Sequence, residues 1–459
     1  MGKMKRSLLL LSVLCLSLVL AVPVIADNKP IKFGIMGPMG DATGLNVLRP
    51  AELMINKINA DGGILGRKIE IVGPYDTKWQ PAEGIRAFER LKAAGVDVIL
   101  SGIVDDSEAG LLSRIAATDD ILYFSEFAST MTFMVNVREK YKKYKNYFMF
   151  TPIDPGLYWC VEGPGLMLNK QFGWKNVYMM REDSVWTEGI GEMVLKETPT
   201  HGLNVVGYDV VPIDAKDLAP YFRKAEKAGA DMIYTFFSSF GEAAASQAWD
   251  SKLTIPMLGH NGALNDFGYW KRSKGAWGPL ITTSKWGSLE KQSVEWRDFM
   301  IEWFTGYKDD PRTPMWLGEC TWKSIKAYKE AVERAGSFEI DAVIKELENT
   351  YYPDAPTMGG FYGPDEGEWP HTWCIPKDEK ARFTKNPTRG PGLWRPSHMI
   401  PMTQWQPNEK APAATFILPG VPDDYGRLVT IWPPHIAGGV FQYPPYYTEK
   451  DIKRLEHKE

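Results

Sequence analysis

Short apolar runs alternating with amphipathic stretches recur in two successive blocks of the chain, and that rhythm restricts it to parallel strands joined by helices. In the first block, Ile31–Met36, Lys68–Val72, Asp97–Leu100 and Ile121–Phe124 are predicted strands. Leu45–Ala60, Pro81–Ala94 and Ser107–Thr118 between them are predicted helices. Pro81 sits at a helix-start position, where its missing N–H costs nothing, and Asp61-Gly62-Gly63 closes the preceding helix. These elements make one doubly wound lobe.

A second block repeats the rhythm with strand Asn146–Phe150, helix Gly156–Lys170, strand Asn176–Met180, helix Trp186–Glu197 and strand Leu203–Val211. It continues through helix Lys216–Ala228, strand Asp231–Phe236, helix Gly241–Asp250 and strand Ile255–Leu258. Gly95 and Gly229 end helices at equivalent places before an apolar strand. After that the order loosens: a strand at Leu280–Ser284, then helices Ser293–Phe304, Trp316–Ala335 and Glu339–Glu348, with a turn-rich stretch at Thr350. From Lys377 onward Pro, Trp and charge dominate without a sustained period, so an irregular tail wrapping the surface is expected. Its aromatic content, including Trp394, Trp405, Trp432, Tyr446 and Tyr447, favours docking over disorder. The expected division is a leader over 1–26, a first lobe over 27–149 plus about 281–352 and a second over 150–280 plus about 353–408. An irregular C-terminal extension fills 409–459. The fold class is therefore α/β, two doubly wound parallel-sheet lobes joined by a hinge, with an irregular tail.

The leader reading comes from Lys3, Lys5 and Arg6 preceding an apolar run, Leu8 to Val22, that is short for a bilayer span and stops at Pro23. Val24 and Ala26 supply small residues for a signal peptidase; an uncleaved anchor is the rival reading. Cys15 follows Leu14, where a lipidation site needs a small residue. Cleavage leaves 433 of 459 residues, more than one hydrophobic core usually serves. Removing the three leader cations takes the net charge from −4 to −7, which argues against a nucleic-acid partner. Cys160, Cys320 and Cys374 then remain, spaced for neither zinc nor a redox pair; one disulfide with a free third thiol and three buried thiols both stay open.

No nucleophile elbow, zinc-peptidase motif, phosphate-binding P-loop or ligand-spaced Cys/His cluster occurs, so no enzyme and no cofactor or metal is expected. The six histidines are scattered, and His201 and His260 read as polar loop residues. Gly37-Pro-Met-Gly40-Asp-Ala-Thr-Gly44 follows a strand and precedes a helix, but its glycine spacing fails the dinucleotide test. In an open α/β sheet, ligands bind beyond the carboxyl ends of the strands. That rule selects Ser101–Ser107, Ser125–Thr130, Arg181–Trp186, Phe237–Phe240 and Gly259–Gly262.

The order of motifs resembles the periplasmic leucine/isoleucine/valine-binding family of ABC importers. The resemblance rests on Ile31-Lys-Phe-Gly-Ile-Met-Gly-Pro38, Ile58-Asn-Ala-Asp-Gly-Gly-Ile-Leu-Gly66 with Ile69-Glu-Ile-Val72, Ala128-Ser129-Thr130, Trp186-Thr-Glu-Gly189 and Gly360–Gly367. It implies a periplasmic, hinged two-lobe cleft protein without catalytic activity, a monomer that hands a small-molecule solute to an inner-membrane permease. It also implies that Ser107, Ala128, Ser129 and Thr130 hold a ligand carboxylate and that Trp186 covers the ligand from the second lobe. Asp106 and Ser238 complete the candidate site, and Asp105 lies beside it. Asn261 stands where the family carries an acid for the substrate ammonium, so a ligand other than a branched-chain amino acid, aromatic or carboxylate, is expected. Each candidate has a plainer reading: helix capping for Ser129 and Thr130, solvated charge for Asp105 and Asp106, interlobe core for Trp186 and a turn residue for Asn261. A sensory module signalling to a membrane partner is the alternative function.

If the leader is cleaved after Ala26, N-terminal sequencing of the exported protein starts within a residue or two of Asp27. Recovery of the intact leader in a membrane fraction refutes this.

Overall fold

The computed structural model describes residues 29–40, 42–102, 111–115, 118, 120–126, 132–150, 168–237, 241–261, 264, 268–277, 280–281, 294–307, 316–352, 359–361, 363, 370–373, 402–407, 427–432 and 439–456. The first sheet is all parallel, in the order β2 (Ile69–Asp76), β1 (Ile31–Gly37), β3 (Val98–Ser101), β4 (Leu122–Ser125), β5 (Tyr147–Met149). Strands β1, β3, β4 and β5 are buried on both faces, which is why they read as apolar runs, whereas β2 at the sheet edge is largely exposed. Phe33, Ile35, Leu100, Phe124 and Phe148 pack toward helices Ala42–Ala60, Trp316–Ala335 and Ile340–Glu348. Met36, Ile99, Tyr123 and Tyr147 pack on the other face against helix Pro81–Ala93. The turn between β1's helix and β2 depends on Gly63, with φ 87°, since a Cβ there would sit 2.1 Å from Arg67 O. Asn59 locks the same turn by exchanging hydrogen bonds with both the N–H and the C=O of Ile69, each 2.8 Å.

The second sheet has the order β14 (Arg427–Trp432), β13 (Met402–Gln406), β10 (Leu280–Ile281), β9 (Met257–Asn261), β8 (Met232–Phe237), β6 (Asn176–Glu182), β7 (Asn204–Val211). From β10 to β7 every pairing is parallel, and β11 (Tyr351–Tyr352) pairs antiparallel with β12 (Gly359–Gly360) as a separate ribbon. One face, with Val177, Met179, Tyr234, Phe236 and Leu258, lies under helix Val185–Glu197; the other, with Tyr178, Met180, Ile233 and Met257, lies under helices Ala219–Lys227 and Gly241–Asp250.

Two expectations are corrected. The strand predicted at Asn146–Phe150, which opens the second block of the rhythm, pairs as β5 with β4 through Tyr123↔Tyr147, Phe124↔Phe148 and Ser125↔Met149, on the first-lobe side of the boundary expected at 149. Residues within 359–373, expected in the second lobe, pack on the first, because Phe361 and Trp373 complete an aromatic cluster with Phe148 and Phe150. Residues 371–373 run beside β5, with Met149 donating to His371 O and Trp373 donating to Met149 O, both 2.9 Å. The tail is not irregular throughout: β13 joins β10 antiparallel, β14 joins β13 antiparallel, and a capped helix Glu449–Leu455 follows.

Buried glutamines stitch this extension together. Gln404 Oε1 accepts from Gln442 N–H (2.9 Å) and from Gln406 Nε2 (3.0 Å), while Gln404 Nε2 donates to Gln442 O (2.7 Å). Phe441 packs in turn on Trp174 and Phe172, ahead of β6. Gln404→Ala strands two buried donors and one acceptor, so urea denaturation should show a stability loss of about 1–3 kcal/mol. An unchanged midpoint means that the extension is not part of the folded second lobe.

Candidate functional site

Because all the first sheet's strands run the same way, their carboxyl ends meet on one edge, and hydrogen bonds past the strand ends shape that edge. Gly102 N–H donates to Met36 O, Glu126 N–H to Ser101 O and Phe150 N–H to Ser125 O, each 2.9 Å. The Tyr123 hydroxyl donates to Ser101 Oγ at 2.7 Å from the neighbouring strand.

Glu126 is fully buried at this edge, two residues before Ala128. Burial pushes its carboxyl up to about 8, opposed by the nearby Ser324 side chain and the charge of Lys323. Lys323 is itself buried and lies 4.7 Å from the centre of the Trp373 ring. Cys320, a buried thiol one turn earlier, contacts Phe150 O at 3.5 Å. A carboxyl and an ammonium thus join the β4 edge, the helix Trp316–Ala335 and the returning strand residue Trp373.

In the second sheet, Arg181 is only 9 % exposed beneath helix Val185–Glu197. Its Nε donates to the Tyr208 hydroxyl at 2.5 Å, and its Nη1 donates to Glu182 O and to Thr187 Oγ1, both 3.2 Å. Gly191 makes room for it, since a Cβ there would come within 2.9 Å of both Arg181 Cδ and the Tyr208 hydroxyl. Thr187 returns hydrogen bonds to Glu182 O (2.5 Å) and Ser184 O (2.9 Å). The first turn of the helix that carries Trp186 is therefore fixed from below. Glu182 is buried at the end of β6, where Ser184 Oγ donates to its carboxylate at 3.3 Å.

Of the sequence-derived candidates, Asp106, Ser107, Ala128, Ser129, Thr130 and Ser238 lie outside the described residues, as does Asp105. Trp186 is the second residue of helix Val185–Glu197, directly after β6. Asn261 is the last residue of β9 and fully buried; its Nδ2 donates to Thr235 Oγ1 at 3.1 Å. A Cβ on Gly241, at the start of the next helix, would meet Asn261 Oδ1 at 3.0 Å. Sequence reasoning missed Glu126 and Glu182, and it set His260 aside as a loop residue. Their signal was present: each lies at or within one residue of the carboxyl end of a largely buried strand.

His260 lies inside β9 and is the one residue of that strand with partial exposure. Burial lowers its imidazole to about 4, against the upward pull of Glu182's charge, so the ring is neutral at physiological pH. Among the described residues no group of His, Cys, Asp and Glu is arranged to hold a metal ion, and no helix is long and apolar enough to cross a membrane.

Two parallel α/β sheets, each with polar groups gathered at the carboxyl edge and joined by more than one chain crossing, define a type I periplasmic solute-binding protein. The chain belongs to the periplasmic binding protein family, whose profile matches residues 30–373. The family is one of solute-binding proteins. The fold resembles that of a type 1 periplasmic binding protein from Bordetella pertussis Tohama I, at TM-score 0.64 and 18 % identity over 88 % of this chain and 100 % of that one. It also resembles a putative branched-chain amino acid ABC transporter protein from Silicibacter pomeroyi, with TM-score 0.67 and 17 % identity over 91 % and 100 % of the two chains. A third similar structure is an ABC-transporter solute-binding protein from Rhodopseudomonas palustris BisB5 in complex with 3,4-dihydroxybenzoic acid, at TM-score 0.60 and 16 % identity over 75 % and 90 %. No curated protein matches the sequence.

The buried Glu126 gives a signed pH dependence. Its folded-state pKa is raised from 4.5 to about 8, so the unfolded chain releases in that window a proton that the folded protein keeps. Its contribution to stability is complete below about pH 4.5 and is lost as pH rises through 8. Urea denaturation between pH 5 and 8.5 should show this decline in the wild type and a flatter profile in Glu126→Gln. Parallel profiles in the two proteins refute the assignment.

Proposed function

We propose that this protein is the periplasmic receptor of an ABC importer, a monomer that closes its two lobes on a small aromatic or otherwise non-amino-acid carboxylate and passes it to a membrane permease without chemistry. Asn261 carries the reading. An amino-acid ligand needs a counter-charge for its ammonium, and leaving a buried charge unpaired costs about 3–5 kcal/mol. At the end of β9 this chain has an amide, already committed to Thr235. A fold neighbour that holds 3,4-dihydroxybenzoic acid supports an aromatic carboxylate as the ligand class.

In this reading Ser107, Ala128, Ser129 and Thr130 supply neutral donors for the carboxylate and Asp106 and Ser238 border the cleft. Trp186 stacks on the ring, an apolar face suited to a flat ligand. Closure brings the two carboxyl edges together by rotation about the crossings. The Glu126–Lys323 pair keeps the base of the β4 loop fixed to the first lobe during that motion.

Isothermal titration with benzoate, leucine and isoleucine tests the proposal. Benzoate should bind at least about tenfold more tightly than either amino acid, a difference of about 1.4 kcal/mol. Trp186→Ala should weaken benzoate by about 1–3 kcal/mol. Micromolar leucine binding by the unmodified protein would sink the aromatic reading and return the ligand to the branched-chain class.

A further inference from the structure

Arg181 lies one residue short of the carboxyl end of β6 and is buried. Its hydrogen bonds all go to neutral oxygens: the Tyr208 hydroxyl, Thr187 Oγ1 and Glu182 O. Among the described residues no carboxylate pairs with it and Nη2 has no hydrogen-bond partner, yet that atom is not sealed from solvent. The acids nearest in sequence leave the charge unanswered. Glu182 takes the Ser184 hydroxyl, and Asp183 and Glu188 are exposed, where water screens them. A guanidinium stays cationic in proteins, and a buried cation calls for a counter-charge. The helix Val185–Glu197 begins at the same place, and its N-cap, Ser184, makes no side-chain hydrogen bond to the first turn, so the positive end of the helix adds to the cation. Thr187, which accepts from Arg181, is the residue after Trp186. The guanidinium and the start of the Trp186 helix therefore make one positive site at the carboxyl edge of the second sheet.

We propose that Arg181 is the anion site of the second lobe and that the ligand is a dicarboxylate, with one acidic group for each lobe. This rests on the carboxylate reading of the first-lobe loops, whose neutral donors take one end of the ligand. Nη2 carries two N–H donors for the other end. The Tyr208 and Thr187 oxygens already fix the plane of the guanidinium, so it loses little freedom on binding, and its fork fits a planar carboxylate. A ligand with a neutral far end would cover the cation without neutralising it, which sets the selectivity. The same charge repels an ammonium, in agreement with the amide that stands at Asn261. Closure then sets the dianion between neutral donors on one edge and a cation on the other.

The test is calorimetry on the full mature chain with terephthalate, terephthalate monoamide and benzoate. The wild type should bind terephthalate at least about tenfold more tightly than the other two, as a charge-assisted hydrogen bond in a buried site warrants. Arg181→Gln should bring terephthalate down to the level of benzoate while leaving benzoate within about threefold of its wild-type affinity, a split that a merely structural role would not produce. Arg181→Lys, which keeps the charge but loses the fork, should retain part of the preference. Benzoate binding by each variant serves as its folding control, and if Arg181→Gln does not fold, the wild-type comparison of terephthalate with its monoamide decides the question. Equal binding of those two by the wild type, or a preference that survives in Arg181→Gln, overturns the Arg181 assignment and leaves the aromatic reading standing. If the wild type binds no aromatic compound, the aromatic reading falls, and adipate against hexanoate then tests Arg181 separately. A preference for adipate supports the assignment, whereas equal binding or binding of neither overturns it.

Discussion

A parallel strand passes its chain to the next strand through a crossover helix, so a parallel sheet is covered on both faces and every carboxyl end falls on one edge. That constraint organises both halves of this molecule. It buries β1, β3, β4, β6, β8 and β9 along nearly their whole length, and it leaves the carboxyl edge as the place where polar side chains gather. Glu126, Glu182, His260 and Asn261 all stand there.

Burying such groups is costly unless they are answered locally. The answers differ between the lobes. In the first, Glu126 is set against Ser324 and Lys323, and Lys323 lies over Trp373, so the β4 edge is joined to a helix and a returning strand that come from far along the chain. In the second, Arg181 is held by the hydroxyls of Tyr208 and Thr187 and by a backbone carbonyl, which fixes the start of the Trp186 helix. Each network ties together, at the carboxyl edge of its own sheet, elements that are distant along the chain or at a helix start.

The C-terminal extension lies beyond the stretch that matches the family, yet it is integral to the second sheet. Its β13 pairs with β10, which would otherwise be an edge strand, and its aromatic residues cover Trp174 and Phe172. Covering an edge with a hairpin is one way a sheet avoids pairing with another chain. Here the hairpin's inner face is polar as well as apolar, with Gln404 and Gln406 both fully buried. The aromatic richness of the tail was the legible sign that it docks, while the strands themselves carried too little periodicity to be read.

The sequence by itself determined the α/β class, the two-block rhythm and the position of most of the described strands and helices in residues 31–348, the short helices Thr132–Glu139, Tyr141–Tyr144 and Gly268–Arg272 excepted. Periodicity and capping are local, and they report which residues are buried within a few turns of chain. Tertiary structure alone decided which lobe took residues 371–373: the bridge to β5 and the aromatic cluster around Phe361 made the choice. It also decided how the end of β9 is faced: the pleat turns Asn261 toward Thr235 and His260 to the face of the Trp186 helix, and which face a strand end shows is settled only when the neighbouring strands and helices are in place.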